Sequence, residues 1–116
     1  MKLAIIGSRN ITHIDEKELS TLIPHNVSEI VSGGASGIDR IAADYAHKSG
    51  IKLTEFLPEY NRYRRAAPLK RNEAIARYAD EALAIWDGRS KGTKHTIELF
   101  YYLGKKVTVI LKENTK

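Results

Sequence analysis

The stretch Glu29-Ile30-Val31-Ser32-Gly33-Gly34-Ala35-Ser36-Gly37-Ile38-Asp39, continuing to Gly50, decides the fold. Glu29 to Ser32 is a short strand, cut off by Gly33-Gly34. Beyond the glycines, Ile38, Ile41, Ala42, Tyr45 and Ala46 recur at the i, i+3, i+4, i+7, i+8 spacing of one helix face. Gly50 then stands where a helix C′ residue belongs. A short strand, a Gly-rich turn and an amphipathic helix together make the first part of a β-α-β unit.

The same unit recurs in both directions. Leu3 to Ile6 is an apolar run ending in Gly7, which reads as a buried strand. Asp15 and Glu18 have capping-box spacing, Ile14 and Leu19 that of a hydrophobic staple, and Pro24 stops the helix that follows. Lys52 to Leu57 is a third strand, ended by Pro58. Glu59 to Ala67 is basic and irregular. Pro68 suits the first turn of a helix running to about Ala79. Ala82 to Trp86 is a fourth strand. Asp87 to Gly92 is a polar loop. Thr93 caps a last helix, with Ile97, Phe100 and Tyr101 on one face. Gly104 ends that helix, and Lys106 to Leu111 is a fifth strand. Strict alternation predicts an α/β fold: a doubly wound five-stranded parallel sheet with helices on both faces. The expected strand order is 3-2-1-4-5, in one domain spanning 1–112 with a frayed tail at 113–116.

Composition narrows the function classes. The chain has 116 residues, enough for one sizeable core. It has no cysteine, so thiolate chemistry and disulfides are excluded. No apolar run approaches the ~20 residues of a membrane span, and the N-terminal run is shorter than a signal-peptide core. These features predict a cytoplasmic protein. The formal net charge of +5 is modest for a dedicated DNA binder. Its distribution is uneven: Arg62, Arg64, Arg65, Lys70, Arg71 and Arg77 crowd one segment, interleaved with Tyr60, Tyr63 and Tyr78. His13, His25, His47 and His95 lack metal-ligand spacing, so no metal site and no required cofactor are expected. The run Leu99 to Leu103 carries more apolar surface than one helix face buries. It predicts a homodimer through the last helix.

Three loops follow strands 1, 2 and 4: Gly7-Ser8-Arg9-Asn10, Ser32 to Asp39, and Asp87 to Thr93. In the expected order these strands are neighbours, and open α/β sheets bind ligands at the carboxyl ends of strands beside the switch point. Glycines let backbone N–H groups approach a phosphate, and helix N-termini near Gly37 and Thr93 attract the anion. The candidate phosphate-binding residues are Gly7, Ser8, Arg9, Gly33, Gly34, Ala35, Ser36, Gly37, Asp87, Gly88, Ser90, Gly92, Thr93 and Thr96, with Arg71 and Asn72 covering the ligand. Asp39 either meets a ribose hydroxyl or simply favours the dipole of its helix. Glu98 and Asp39 are the candidate general acid/base groups. Trp86 either packs at the sheet end or borders a nucleobase. The Gly33–Gly37 loop is neither G-x-G-x-x-G nor a Walker loop, which disfavours dehydrogenase and kinase chemistry.

These motifs resemble the SLOG superfamily, and most closely its small YspA-like family. The resemblance rests on Gly7-Ser8-Arg9, on Gly33-Gly34-Ala35-Ser36-Gly37-Ile38-Asp39, on Pro68-Leu69-Lys70-Arg71-Asn72, and on Trp86-Asp87-Gly88-Arg89-Ser90-Lys91-Gly92-Thr93. It implies a Rossmann-like fold that binds a nucleotide or a nucleotide derivative, as a sensor or carrier. Two relatives supply rival readings. LOG phosphoribohydrolases cleave a nucleoside monophosphate and carry Gly-Gly-x-Gly-Thr-x-x-Glu. Here Thr96 stands three past Thr93, and Glu98 comes two positions later than the motif's carboxylate, ~200° round a helix. DprA-type proteins bind single-stranded DNA; this chain is similar to them at Val31-Ser32-Gly33, Gly37-Ile38-Asp39 and Gly92 to Thr96. The basic segment with its tyrosines has the composition that single strands favour.

Overall fold

The computed structural model describes residues 1–114. Five strands are joined by helices: β1 Lys2–Gly7, α1 Glu16–Leu22, β2 Glu29–Ser32, α2 Ile38–Ser49, β3 Lys52–Glu55, α3 Tyr60–Tyr63, a 3-10 turn Arg64–Ala66, α4 Ala67–Tyr78, β4 Glu81–Trp86, α5 Lys91–Tyr102 and β5 Val107–Leu111. The sheet is parallel with the order 3-2-1-4-5, as the alternation predicts. Of the expected frayed tail, Glu113 and Asn114 carry no regular structure, and residues 115–116 lie outside the described residues.

Side chains alternate across a strand, so β1 and β4 feed two cores. Leu3, Ile5, Leu83 and Ile85 face α1 and α2, joined by Ile11, Leu19, Ile30 and Ile38. Ala4, Ile6, Ala82 and Ala84 face α4 and α5. The alanines leave room on that second face, and Phe100 and Ile75 fill it.

Local departures from the sequence expectation have physical causes. Glu59 to Ala67 is not irregular: it forms α3, a 3-10 turn and the start of α4, and Arg64, the first residue of the 3-10 turn, adopts φ 54°. That conformation is uncommon for a residue with a Cβ. Strand β3 stops at Glu55, before Leu57. Asp15 is the N-cap of α1 but its side chain makes no capping bond, so the capping box does not close. The N-cap of α5 is Ser90, and Thr93 lies buried within the first turn. Phe100 is fully buried, whereas Tyr101 points outward with Tyr102 and Leu103. Those three residues are the surface through which the expected homodimer would form.

Phe100 and Tyr102 make opposite predictions from neighbouring positions. Phe100 is 0% exposed and Tyr102 is 87% exposed. Phe100→Ala is expected to cost about 3–5 kcal/mol by leaving a cavity, an unfolding midpoint lower by roughly 10–20 °C. Tyr102→Ala in the monomer should move the midpoint by no more than about 2 °C. Calorimetry of the two variants at low protein concentration checks both.

Candidate functional site

Strands β1, β2 and β4 end side by side, and the loops that leave them enclose a cleft of about 390 Å³. Its rim and floor come from four places. The β1 end gives Ile6, Gly7, Arg9 and Asn10. The β2 loop and α2 give Gly33, Ala35 and Asp39. Helix α4 gives Pro68, Arg71, Asn72 and Ile75, and the start of α5 gives Ser90, Gly92, Thr93 and Thr96.

The β4 side is organised by one carboxylate. Asp87 Oδ1 accepts from the backbone N–H of Arg89 and of Ser90, both at 2.8 Å, and from Ser90 Oγ at 3.1 Å. These donors lower its pKa from the ordinary 3.8 to about 2. Behind it, Ser8 is only 1% exposed. Ser8 Oγ accepts from Asp87 N–H at 3.0 Å and lies 3.0 Å from Ser90 Oγ, within hydrogen-bond distance. The loop is thus held shut by its own side chains. The first-turn N–H groups of α5, at Gly92 and Thr93, have no intrahelical acceptor and carry the positive end of the helix dipole.

On the opposite wall, Arg71 reaches 38 residues back: its Nη1 donates to Gly33 O at 2.7 Å and its Nε to Asn72 Oδ1 at 2.9 Å. A Cβ on Gly33 would lie 2.5 Å from that same Nη1, so the arginine lies where any side chain at 33 would begin. Asn72 is buried, and its Nδ2 lies 3.3 Å from His95 Nδ1. Asp39 is also buried and accepts from Ala35 N–H at 3.1 Å. Burial pushes its pKa up, against the pull of that N–H and of the Arg71 charge. The cleft therefore faces two guanidinium groups, one buried carboxyl and one open helix N-terminus.

The structure gathers Gly7, Arg9, Gly33, Ala35, Asp39, Arg71, Asn72, Ser90, Gly92, Thr93 and Thr96 around the cleft. The other sequence candidates lie outside its wall. Ser8 and Asp87 face each other and hold the loop. Gly37, at φ 72°, supports the junction from below: a Cβ there would sit 2.5 Å from the carbonyl oxygens of Ser8 and Arg9. Gly34 turns toward Leu57 and Glu55, Ser36 is exposed, and Gly88 forms the outer turn beside Leu111. Glu98 points to solvent from the outer face of α5, as its offset along the helix implied. Asp39 occupies the N-terminal turn of α2, where the sequence placed it. Trp86 donates Nε1 to Ser90 O at 3.1 Å and packs against the α4–α5 core. Reading the sequence alone missed Ile6, Asn10, Pro68 and Ile75 in the lining and the contact of His95 with Asn72. Pro68 and Asn10 lay inside quoted motifs; the others carry only core or surface periodicity. Among the described residues no group of three His, Asp or Glu is placed to hold a metal ion.

The family model described as the YspA, cpYpsA-related SLOG family matches residues 1–63, which hold β1, the Gly33–Gly37 loop and Asp39. The chain belongs to this SLOG family. No curated protein matches its sequence. Among solved structures, the X-ray structure of DNA processing protein A (DprA) from Streptococcus pneumoniae is similar at a TM-score of 0.73 and 20% identity. The alignment covers 99% of this SLOG chain and 52% of that protein, so the chain spans about half the length of that relative. At this identity the likeness shows the Rossmann-like fold. Among the described residues no helix is long and apolar enough to cross a membrane.

The Asp87 junction has a pH signature. A carboxyl with a lowered folded pKa stabilises above its unfolded value, and that stability is lost as pH falls from 3.8 towards about 2. Asp87→Ala is expected to cost about 1–2 kcal/mol at pH 7, after discounting for its partial exposure. The gap to the parent should narrow across that acid window, as followed by urea denaturation at a series of pH values.

Proposed function

We propose that the cleft binds a nucleotide or nucleotide-derived ligand and that the chain acts as a sensor or carrier module. The observation that carries this reading is the opening of the α5 first turn into a cleft that Arg9 and Arg71 also line. A phosphate placed there would meet the Gly92 and Thr93 N–H groups together with two guanidinium groups. Asp39, on the far side, accepts hydrogen bonds and suits sugar hydroxyls rather than phosphate. The cleft volume of about 390 Å³ falls within the usual range for small-molecule sites. Membership of the SLOG family supports a nucleotide-related role.

Hydrolysis of a nucleotide's N-glycosidic bond is the enzymatic alternative. With Glu98 turned away, Asp39 is the carboxyl that faces the cleft, and its raised pKa suits a general acid. Release of free base, abolished by Asp39→Asn, would distinguish an enzyme from a carrier.

Gly92 offers a clean test of the binding reading. A Cβ there meets nothing within 4 Å, and a carboxylate in the first turn favours the helix dipole. Gly92→Asp should therefore fold at least as stably as the parent while occupying the anion position. In a thermal-shift screen with nucleoside mono-, di- and triphosphates, NAD, ADP-ribose and a short single-stranded DNA, a ligand at 100 times its Kd adds about 2.7 kcal/mol. The expected result is a raised midpoint with one nucleotide class, lost in Gly92→Asp. No shift with any nucleotide would refute the reading.

A second reading, binding of single-stranded nucleic acid, is favoured by one specific observation. In the basic segment Arg62 and Lys70 are paired with Glu59 and Glu73, but Arg64 and Arg65 are exposed with no ion pair among the described residues. Phosphate contacts release counterions, so DNA affinity should fall steeply with salt, and Arg64→Ala/Arg65→Ala should flatten the slope by about 1–2. Affinity that is indifferent to salt would remove this reading.

A further inference from the structure

Arg71 is a wall of two cavities. Beyond it lies a second cavity of about 720 Å³, between the end of β3, α3 and α4. Phe56, Leu57 and Tyr63 give it apolar walls, and Leu57 is 61% exposed although it is a large aliphatic side chain. Three carboxylates line this cavity. Glu59 pairs with Arg62 and Glu73 with Lys70, whereas Glu55 has no hydrogen-bond or ion-pair partner among the described residues. The cavity adjoins the glycine loop directly. A Cβ on Gly34 would strike Leu57 and come 3.7 Å from Glu55 Oε2. Gly33, the next residue along, lines the first cleft and accepts from Arg71.

We propose that this second cavity is the nucleobase subsite of the same ligand and that Glu55 selects guanine. The proposal rests on the reading of the cleft as a nucleotide site. A ligand whose phosphate lies at the start of α5 and whose sugar meets Asp39 would pass Arg71 and Gly33 into the second cavity. There a flat base finds the apolar surface of Phe56, Leu57 and Tyr63. A carboxylate only accepts hydrogen bonds. Guanine presents two adjacent donors, N1–H and the N2 amine, which the two oxygens of Glu55 can take together. Adenine offers only its N6 amine beside the N1 acceptor, which the carboxylate repels. Cytosine likewise sets an acceptor next to its amine.

Calorimetric titration with ribose 5-phosphate, GMP and AMP tests this, using the parent, Glu55→Gln and Ala74→Trp, the last placing a large ring in the second cavity from α4. GMP is expected to bind the parent roughly tenfold more tightly than AMP, the effect of a charge-assisted pair of hydrogen bonds. Glu55→Gln should abolish that preference, because an amide also donates. Ala74→Trp should bring GMP down to the affinity of ribose 5-phosphate. Binding of ribose 5-phosphate should be unchanged in both variants, which also reports that they fold. If GMP and ribose 5-phosphate bind the parent equally, the base subsite is refuted while the phosphate cleft stands. If AMP equals GMP, the selection by Glu55 is refuted. If none of the three binds, the cleft reading falls, and this one with it.

Discussion

Everything at the ligand end of the sheet depends on the buried Ser8 junction. Ser8 N–H donates to Ile85 O, which ties the end of β1 to β4, and its carbonyl accepts from Ile11 N–H and Ile38 N–H, which fixes the start of α2. Its hydroxyl bonds the Asp87 N–H and Ser90 Oγ, which fixes the start of α5. One residue, through its backbone and its hydroxyl, thus sets the relative position of two helix N-termini and two strand ends. The hydroxyl has hydrogen-bond partners in Asp87 and Ser90, which offset the cost of burying it. Gly7 and Gly37 serve the same junction by omission. A Cβ on Gly7 would strike Ile85 O, and one on Gly37 would press on the two carbonyls below it. Two glycines that read as phosphate-binding are there, in part, to let backbone pack on backbone.

Given that frame, the cleft has an uneven division of labour. The α2 N-terminus is answered from within by Asp39, whereas the α5 N-terminus opens into the cleft. A helix dipole already met by a carboxylate attracts an external anion less. The nucleotide reading would accordingly put phosphate at α5 and hydroxyl-rich parts at α2. Arg71 sits between them and is held by the Gly33 carbonyl and by Asn72, so its position is set before any ligand arrives. Pre-set cations lose little side-chain freedom on binding.

The architecture was legible because it rests on periodicity. Short apolar strands alternating with amphipathic helices leave few arrangements, and the three Gly-rich loops had to meet once the order 3-2-1-4-5 held. The details that escaped share one cause: local preference gave way to tertiary contacts. Gly92 is a poor helix former and read as loop, yet it lies inside α5 because Ser90 is fixed by Ser8 and Asp87 one step earlier. Tyr101 read as core, but Phe100 already fills the space left by the alanines of β1 and β4. The roles of Ser8 and Asp87 were misread for a related reason. A polar side chain after a strand looks the same in sequence whether it faces a ligand or another loop. The reach of Arg71 to Gly33 has no sequence signal at all, since nothing in a helical arginine names its acceptor.

The family match ends at residue 63, and that boundary divides the cleft. Within the match lie the β1 loop, the Gly-rich loop and Asp39: the backbone-built wall. Beyond it lie Arg71, Asn72, Ser90, Gly92, Thr93 and Thr96, which supply one of the two arginines, the open helix terminus and most of the side-chain polarity. A backbone wall made of tight glycine turns has little freedom to vary, because a Cβ at Gly7 or Gly37 collides with backbone carbonyls. Side chains on α4 and α5 are under no such restriction: Gly92 itself has open space around it. In the proposed reading the glycine loops of the first half would fix where a ligand sits, and Glu55 with the side chains of α4 and α5 would decide which ligand it is. A neighbouring fold that handles DNA and a small chain with a nucleotide-sized cleft can therefore share the same backbone and still differ in what they bind.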